Sequence, residues 1–150
     1  MSKRSRTPDP ETASALATQL RAILSKFKRR LREHGGRDDL TPSQISVILR
    51  LEKDGAATVS SLARAEAMRP QSMSTIVNSL HDAGLLSGTP DPNDGRKTLM
   101  SLTKKCQKRI QESRAAKQDW LSTTIQQKLS AQEQEKLSSA LKLLSRLAED

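Results

Sequence analysis

The sequence predicts a mainly helical protein carrying one small β-hairpin. Three observations lead there. Apolar residues recur at spacings of three and four along most of the chain, the period of a half-buried helix. Two boxes, Thr41-Pro42-Ser43-Gln44 and Ser130-Ala131-Gln132-Glu133, have the reciprocal capping pattern that opens helices. Between Leu86 and Thr98 the helical period stops, and Asp91-Pro92-Asn93-Asp94-Gly95 supplies the residues of a tight turn. A length of 150 residues suits a single structural domain. Only 34% of residues are hydrophobic against 29% charged, and Phe27 and Trp120 are the only aromatics. That is a thin apolar supply for a standalone core, so a second copy is expected to complete it.

The elements follow in order. Residues 1–12 are polar, with Pro8 and Pro10, and are expected to form a mobile basic arm through Lys3, Arg4 and Arg6. From Ala13 the stripe Leu16, Leu20, Ile23, Leu24, Phe27 and Leu31 predicts a long helix, ended by Gly35-Gly36, within residues 13–40. Thr41 caps a second helix with Ile45, Ile48, Leu49 and Leu51 as its buried stripe, stopping near Asp54-Gly55. A short helix starts around Thr58 with Val59, Leu62 and Ala63 inward. A further one opens at Arg69-Pro70 with Met73, Ile76, Val77 and Leu80 inward, and Gly84 is placed to close it. Leu85-Leu86 and Thr98–Leu102 flank the hairpin tip. A long helix resumes at Lys104 and passes Ile110, Trp120, Leu121, Ile125 and Leu129. The last helix carries Leu137, Leu141, Leu144 and Leu147. Phe27 and Trp120 are read as packing residues.

Short helices joined by a tight turn and followed by a hairpin make a winged helix-turn-helix, spanning residues 41–103. In that arrangement the second helix of the pair can enter a DNA major groove and present its N-terminal side chains. Here those are Arg69, Pro70, Gln71, Ser72, Ser74, Thr75 and Asn78. Arg can read guanine, and Gln or Asn can read adenine. The basic wing tip, Arg96-Lys97, is suited to the minor groove, whose negative potential attracts Arg. Ser72, Ser74 and Thr75 lower helix propensity, which a merely solvated face has little reason to accept.

At this point the residues resemble the MarR family (multiple-antibiotic-resistance regulators). The resemblance is carried by the wing, Asp91-Pro92-Asn93-Asp94-Gly95-Arg96-Lys97 running on to Ser101-Leu102-Thr103, against the family pattern D-x-x-D-x-R and a strand ending in L-T. Arg69-Pro70-Gln71-Ser72-Met73, Asp82-Ala83-Gly84-Leu85-Leu86 and Thr41-Pro42-Ser43-Gln44 also match. The resemblance implies a bacterial or archaeal, cytoplasmic and nucleoid-associated homodimeric transcriptional regulator. It implies that Arg96 reaches the minor groove and that Asp94 holds it by a salt bridge. It also implies terminal helices that interleave with a partner's, and repression released by a small-molecule effector. Two positions depart from the pattern. Ser87-Gly88 and Thr75 stand where basic residues are common, so phosphate contacts are expected from Lys3, Arg4 and Arg6 or from Lys104, Lys105, Lys108 and Arg109.

Charge agrees with a polyanionic partner but is unevenly placed. The net charge is +9; residues 1–40 hold 10 basic and 5 acidic side chains, 41–103 hold 6 of each, and 104–150 hold 10 and 6. The excess therefore sits at the two ends. The stripes Leu16, Leu20, Ile23, Leu24 and Phe27 and Leu137, Leu141, Leu144 and Leu147 are expected to pair between copies, with residues 13–40 and 104–150 as dimerisation helices. The operator should then be a pseudo-palindrome in double-stranded DNA.

Other classes fall away. No apolar run is long enough for a membrane span, and no secretory h-region follows the basic start. His34, His81 and Cys106 do not form a spaced metal set, and no phosphate loop, dinucleotide loop or nucleophile elbow is present, so neither a cofactor nor an enzyme is expected. Two other readings stay open. One is a winged-helix protein-interaction module with weak or no specific DNA binding. The other is redox sensing through Cys106, whose neighbours Lys104, Lys105 and Lys108 at a helix start would lower a thiol pKa.

Overall fold

The structure, a computed structural model, describes residues 7–36 and 39–150. Lys3, Arg4 and Arg6 of the expected arm lie outside the described residues. Helix α1 (Pro10–His34) begins inside the stretch expected to be an arm. Capping sets this start ahead of the apolar period. The Asp9 carboxylate accepts the Glu11 amide at 3.1 Å and the Thr12 hydroxyl at 3.2 Å, Pro10 fits the first turn, and Glu11 complements the positive helix end.

Helix α2 (Pro42–Asp54) opens on the full capping box, in which the Gln44 amide donates to the Thr41 hydroxyl at 3.2 Å and Thr41 N donates to Gln44 Oε1 at 2.8 Å. Strand β1 (Ala57–Thr58) leads into α3 (Val59–Ala65), capped by the Thr58 hydroxyl. Helix α4 (Pro70–Asp82) follows, then β2 (Leu86–Pro90) and β3 (Thr98–Leu102), then α5 (Lys104–Lys128) and α6 (Ala131–Ala148), the last opened by the Ser130–Glu133 box. The fold is mainly α with a small antiparallel sheet ordered β1-β3-β2. Leu86 pairs with Leu102 and Pro90 with Thr98, so the two expected strands are in register; β1 adds a third through Ala57–Met100 and Thr58–Leu99.

The described residues group into two compact units. One comprises the chain up to Gly36 together with the residues from Ala116 onward; the other is the stretch between. The central unit holds every buried apolar side chain among the described residues. These are Val47, Ile48 and Leu51 from α2, Leu62 and Ala63 from α3, and Met73, Val77 and Leu80 from α4. Leu85, Leu86, Met100 and Cys106 complete the cluster. Leu49, expected inside, is 47% exposed, and Val47 takes its place, because Val47 and Leu51 lie one helical turn apart on the face that packs inward. In the terminal unit, α1 and α6 bury no residue fully. No helix among the described residues is long and apolar enough to cross a membrane.

Candidate nucleic-acid interface

The turn from α3 to α4 is braced from α2. Glu66 accepts the Arg50 Nε–H at 2.8 Å and the Ser46 hydroxyl at 2.9 Å, and Arg50 also donates to the Ala65 carbonyl. These donors hold the Glu66 carboxyl below the usual carboxylate range, the Arg50 hydrogen bond being the largest cause, and the Arg50 guanidinium rises in return. Gln44 does double duty. Its oxygen closes the α2 cap while its Nε2 donates to the Ser79 hydroxyl on α4 at 2.9 Å, and Ser79 donates on to the Ile76 carbonyl at 2.7 Å. Sequence reasoning saw Gln44 only as a cap, since a partner 35 positions away leaves no local signal.

Helix α4 turns Met73, Val77 and Leu80 into the core. That leaves Arg69, Pro70, Gln71, Ser72, Thr75 and Asn78 exposed, with Ser74 half-buried. Arg69 occupies the N-cap position without a side-chain cap bond. The Thr75 hydroxyl donates back to the Gln71 carbonyl at 3.2 Å, the local bond typical of a helical Thr.

The loop between β2 and β3 is organised by its aspartates. Asp91 N donates to the Lys97 carbonyl at 2.9 Å, Lys97 N to the Asp94 carbonyl at 3.0 Å, and Asn93 N to the Asp91 carboxylate at 2.8 Å. The Asp94 carboxylate accepts both Arg96 N at 3.1 Å and Arg96 Nε at 3.3 Å. The Arg96 side chain is nevertheless 93% exposed, and Lys97 is exposed beside it. The ion pair between Asp94 and Arg96 is therefore present, with the guanidinium still open to solvent.

Three of the four expected phosphate contacts after the wing have partners within the chain, and Lys104 is exposed. Lys105 donates to the Ala83 carbonyl at 3.1 Å, Lys108 lies 3.9 Å from Glu112, and Arg109 pairs with Asp39. Cys106 is a correction to the redox reading. It is buried in the core cluster, and desolvation pushes its thiol up, outweighing the opposing pull of Arg109; Glu52 adds to the rise. A helix turns about 100° per residue, so Cys106 points inward while Lys104 and Lys105 are exposed. A raised, buried thiol lacks the thiolate character and access that reactivity requires.

In the terminal unit the apolar stripes are uncovered. Leu16, Ile23, Leu24 and Phe27 on α1 are exposed and Leu20 is half-buried. On α6 Leu141, Leu144 and Leu147 are exposed and Leu137 is half-buried. Leu143, which the spacing argument passed over, is also exposed, at 59%. Phe27 and Trp120, read as packing residues, differ in setting. Trp120 is half-buried and stacks on His34, ring centroids 4.7 Å apart, with the Arg30 guanidinium 5.5 Å from its ring, whereas Phe27 is 44% exposed. Ile23, Phe27 and Trp120 floor a shallow groove edged by Lys26, Arg30 and Lys128.

A helix-turn-helix with an exposed polar second helix, beside a three-stranded sheet that ends in a basic wing, is the plan of a winged helix-turn-helix regulator. A model of the MarR family matches residues 40–98. The chain is 31% identical over 140 residues to the uncharacterised HTH-type transcriptional regulator Mb0904 of Mycobacterium bovis, covering 93% of this chain and 97% of that protein. Among solved structures, a protein of Pseudomonas aeruginosa PA01, provisionally described as a transcriptional regulator, superposes with a TM-score of 0.79. It is 30% identical, over 95% of this chain and 99% of that one. A mutant of S. aureus MepR bound to an oligodeoxyribonucleotide shares the fold at a TM-score of 0.71, with 22% identity over 88% and 97% of the two chains. The chain belongs to the MarR family of transcriptional regulators, which are not enzymes.

Proposed function

We propose that the protein is a homodimeric, sequence-specific DNA-binding regulator that represses transcription, acting in the cytoplasm of a bacterium or archaeon. One observation carries the reading: the exposed polar start of α4 and the exposed Arg96 of the wing belong to the same compact unit. Arg69, Gln71, Ser72, Ser74, Thr75 and Asn78 read base edges in the major groove, with Pro70 setting the first turn. Arg96, aligned by Asp94, enters the minor groove with Lys97 at its flank. Two copies join through Leu16, Leu20, Ile23, Leu24 and Phe27 and through Leu137, Leu141, Leu144 and Leu147; all but the half-buried Leu20 and Leu137 are exposed in the single chain, which supports the pairing. The two reading helices then sit about 34 Å apart on a pseudo-palindrome. A protein straddling two half-sites occludes the DNA beneath it, which is the sense in which it represses. Release by a small-molecule effector belongs to the same proposal, on the strength of family membership.

The test is selection from fragmented genomic DNA at about 150 mM salt, where long-range surface attraction is screened. Recovery of a two-fold symmetric motif is the expected result. Binding without any motif, vanishing as salt rises, would refute specific recognition and leave the protein-interaction reading.

A further inference from the structure

Three consecutive backbone carbonyls at the exit of α4 are all taken up by the segment that opens α5. The Ala83 carbonyl accepts the Lys105 ammonium at 3.1 Å. The Gly84 carbonyl accepts the Thr103 hydroxyl at 2.7 Å, and the Leu85 carbonyl accepts Thr103 N at 3.1 Å. The Thr103 hydroxyl in turn accepts the Cys106 amide at 3.1 Å. One threonine thus caps the start of α5 and ties it to the end of the reading helix.

The lysine fits the same junction sterically and electrically. Gly84 has φ +75°, the left-handed conformation that lets a helix stop abruptly. A Cβ built on Gly84 would stand 3.5 Å from Lys105 Nζ and 3.7 Å from its Cδ, so the lysine stem lies along the bare glycine backbone. Its charge sits at the negative end of α4, where a cation is stabilising. The partner is a backbone carbonyl, which a mobile neighbour cannot withdraw as it could a side chain.

We propose that Lys105 is a positioning residue for DNA recognition: its ammonium fastens the C-terminal end of α4 and so fixes the angle at which the reading helix leaves the core, in place of contacting phosphate. The proposal rests on the DNA-binding reading above. It separates Lys105 from the other basic residues after the wing, because a phosphate ligand and a positioning group leave different traces in binding.

Two variants of the full chain make the distinction. Lys105→Met keeps the stem and removes the charge; Lys105→Arg keeps a cationic donor. Each is titrated with the selected operator duplex and with a scrambled duplex over a range of salt. For Lys105→Met the expected result is a loss of operator affinity of about two- to five-fold with scrambled binding and salt slope unchanged. Lys105→Arg restores operator affinity. A uniform loss on both duplexes with a slope shallower by about 0.9 identifies a phosphate ligand and overturns the proposal. Unchanged affinity on both also overturns it. A readout without DNA runs alongside. The amides of Ala83, Gly84 and Leu85, bonded to Ser79, His81 and Leu80, should exchange about two- to five-fold faster in Lys105→Met. Unchanged protection at these three overturns the fastening role. Should the native chain fail to prefer its operator, specific recognition falls, while amide exchange still decides whether Lys105 holds α4.

Discussion

Asp94 and Arg96 divide one task. The carboxylate accepts the Arg96 amide and its Nε–H, yet the Arg96 side chain stays 93% exposed. An ion pair so exposed adds little to folding stability. Arg96→Ala should therefore leave the unfolding free energy within about 0.5 kcal/mol of native. Operator affinity should fall by about 1–3 kcal/mol. Anisotropy titration and urea melts check the two halves, and unchanged affinity would remove Arg96 from the interface. Glu66 is the opposite case, a carboxylate engaged inside the fold. Its donors, Arg50 first and Ser46 second, depress its pKa. The unfolded chain therefore holds the proton more readily near the ordinary glutamate value of about 4.3. Stability from this group is complete above that value and is lost as pH falls through the lower folded value. Glu66→Gln should flatten the acid limb of stability against pH measured by urea unfolding; an identical limb in both proteins would show that the brace carries no linkage.

Element by element, what could be read in advance had a local signature. The capping boxes at Thr41 and Ser130, the turn residues at 91–95 and the D-x-x-D-x-R wing all announce themselves within a few positions, and each is found in place. Strand β1 could not be read, because two residues between a helix end and a cap leave no period. The tight turn between α3 and α4 is expected from the sequence, but its geometry is not, since Ala67 at φ +52° takes a conformation usually left to glycine. On the exposed face of α4 the residue types were legible, but the Gln44–Ser79 and Lys105–Ala83 ties join residues far apart in the chain and leave no local signal. The departure at Ser87-Gly88 now has a partial physical reason. Gly88 pairs with Met100, and a Cβ there would lie 2.7 Å from the Thr98 methyl and 3.3 Å from the Met100 sulfur. Gly88→Arg should consequently cost about 1–3 kcal/mol by overpacking the hairpin. Ser87 is exposed, with its hydroxyl 3.4 Å from that of Ser101. Ser87→Arg should thus fold normally and steepen the salt slope of DNA binding by about 0.9 if it gains one phosphate. Equal melting midpoints for the two variants would show that the glycine is not required by the pairing.

For the molecule as a whole, the distribution of burial argues for a second copy. All fully buried apolar residues among those described lie between Val47 and Cys106, while α1 and α6 bury none. Leu16, Leu24, Leu141, Leu143 and Leu147 are each more than half exposed. Isolated exposed leucines are ordinary, but repeated ones at helical spacing on two helices form a stripe that water disfavours, by roughly 25 cal/mol for each Å². None of these residues belongs to the buried cluster of the central unit, so their substitution should leave the folding of that unit intact. Light scattering on the native chain should give twice the 16.6 kDa chain mass. A double variant, Leu24→Glu with Leu144→Glu, should fall to the single-chain mass, since each charge would need burial without a partner. Its central unit should keep its own unfolding transition, because neither residue belongs to the buried cluster. DNA binding then separates the levels of the design. A half-site should still be bound weakly, while the advantage of a full palindrome over a half-site disappears, because one chain cannot engage both. A native chain of single mass, or a double variant that still favours the full palindrome, would place the reading of two half-sites somewhere other than these stripes.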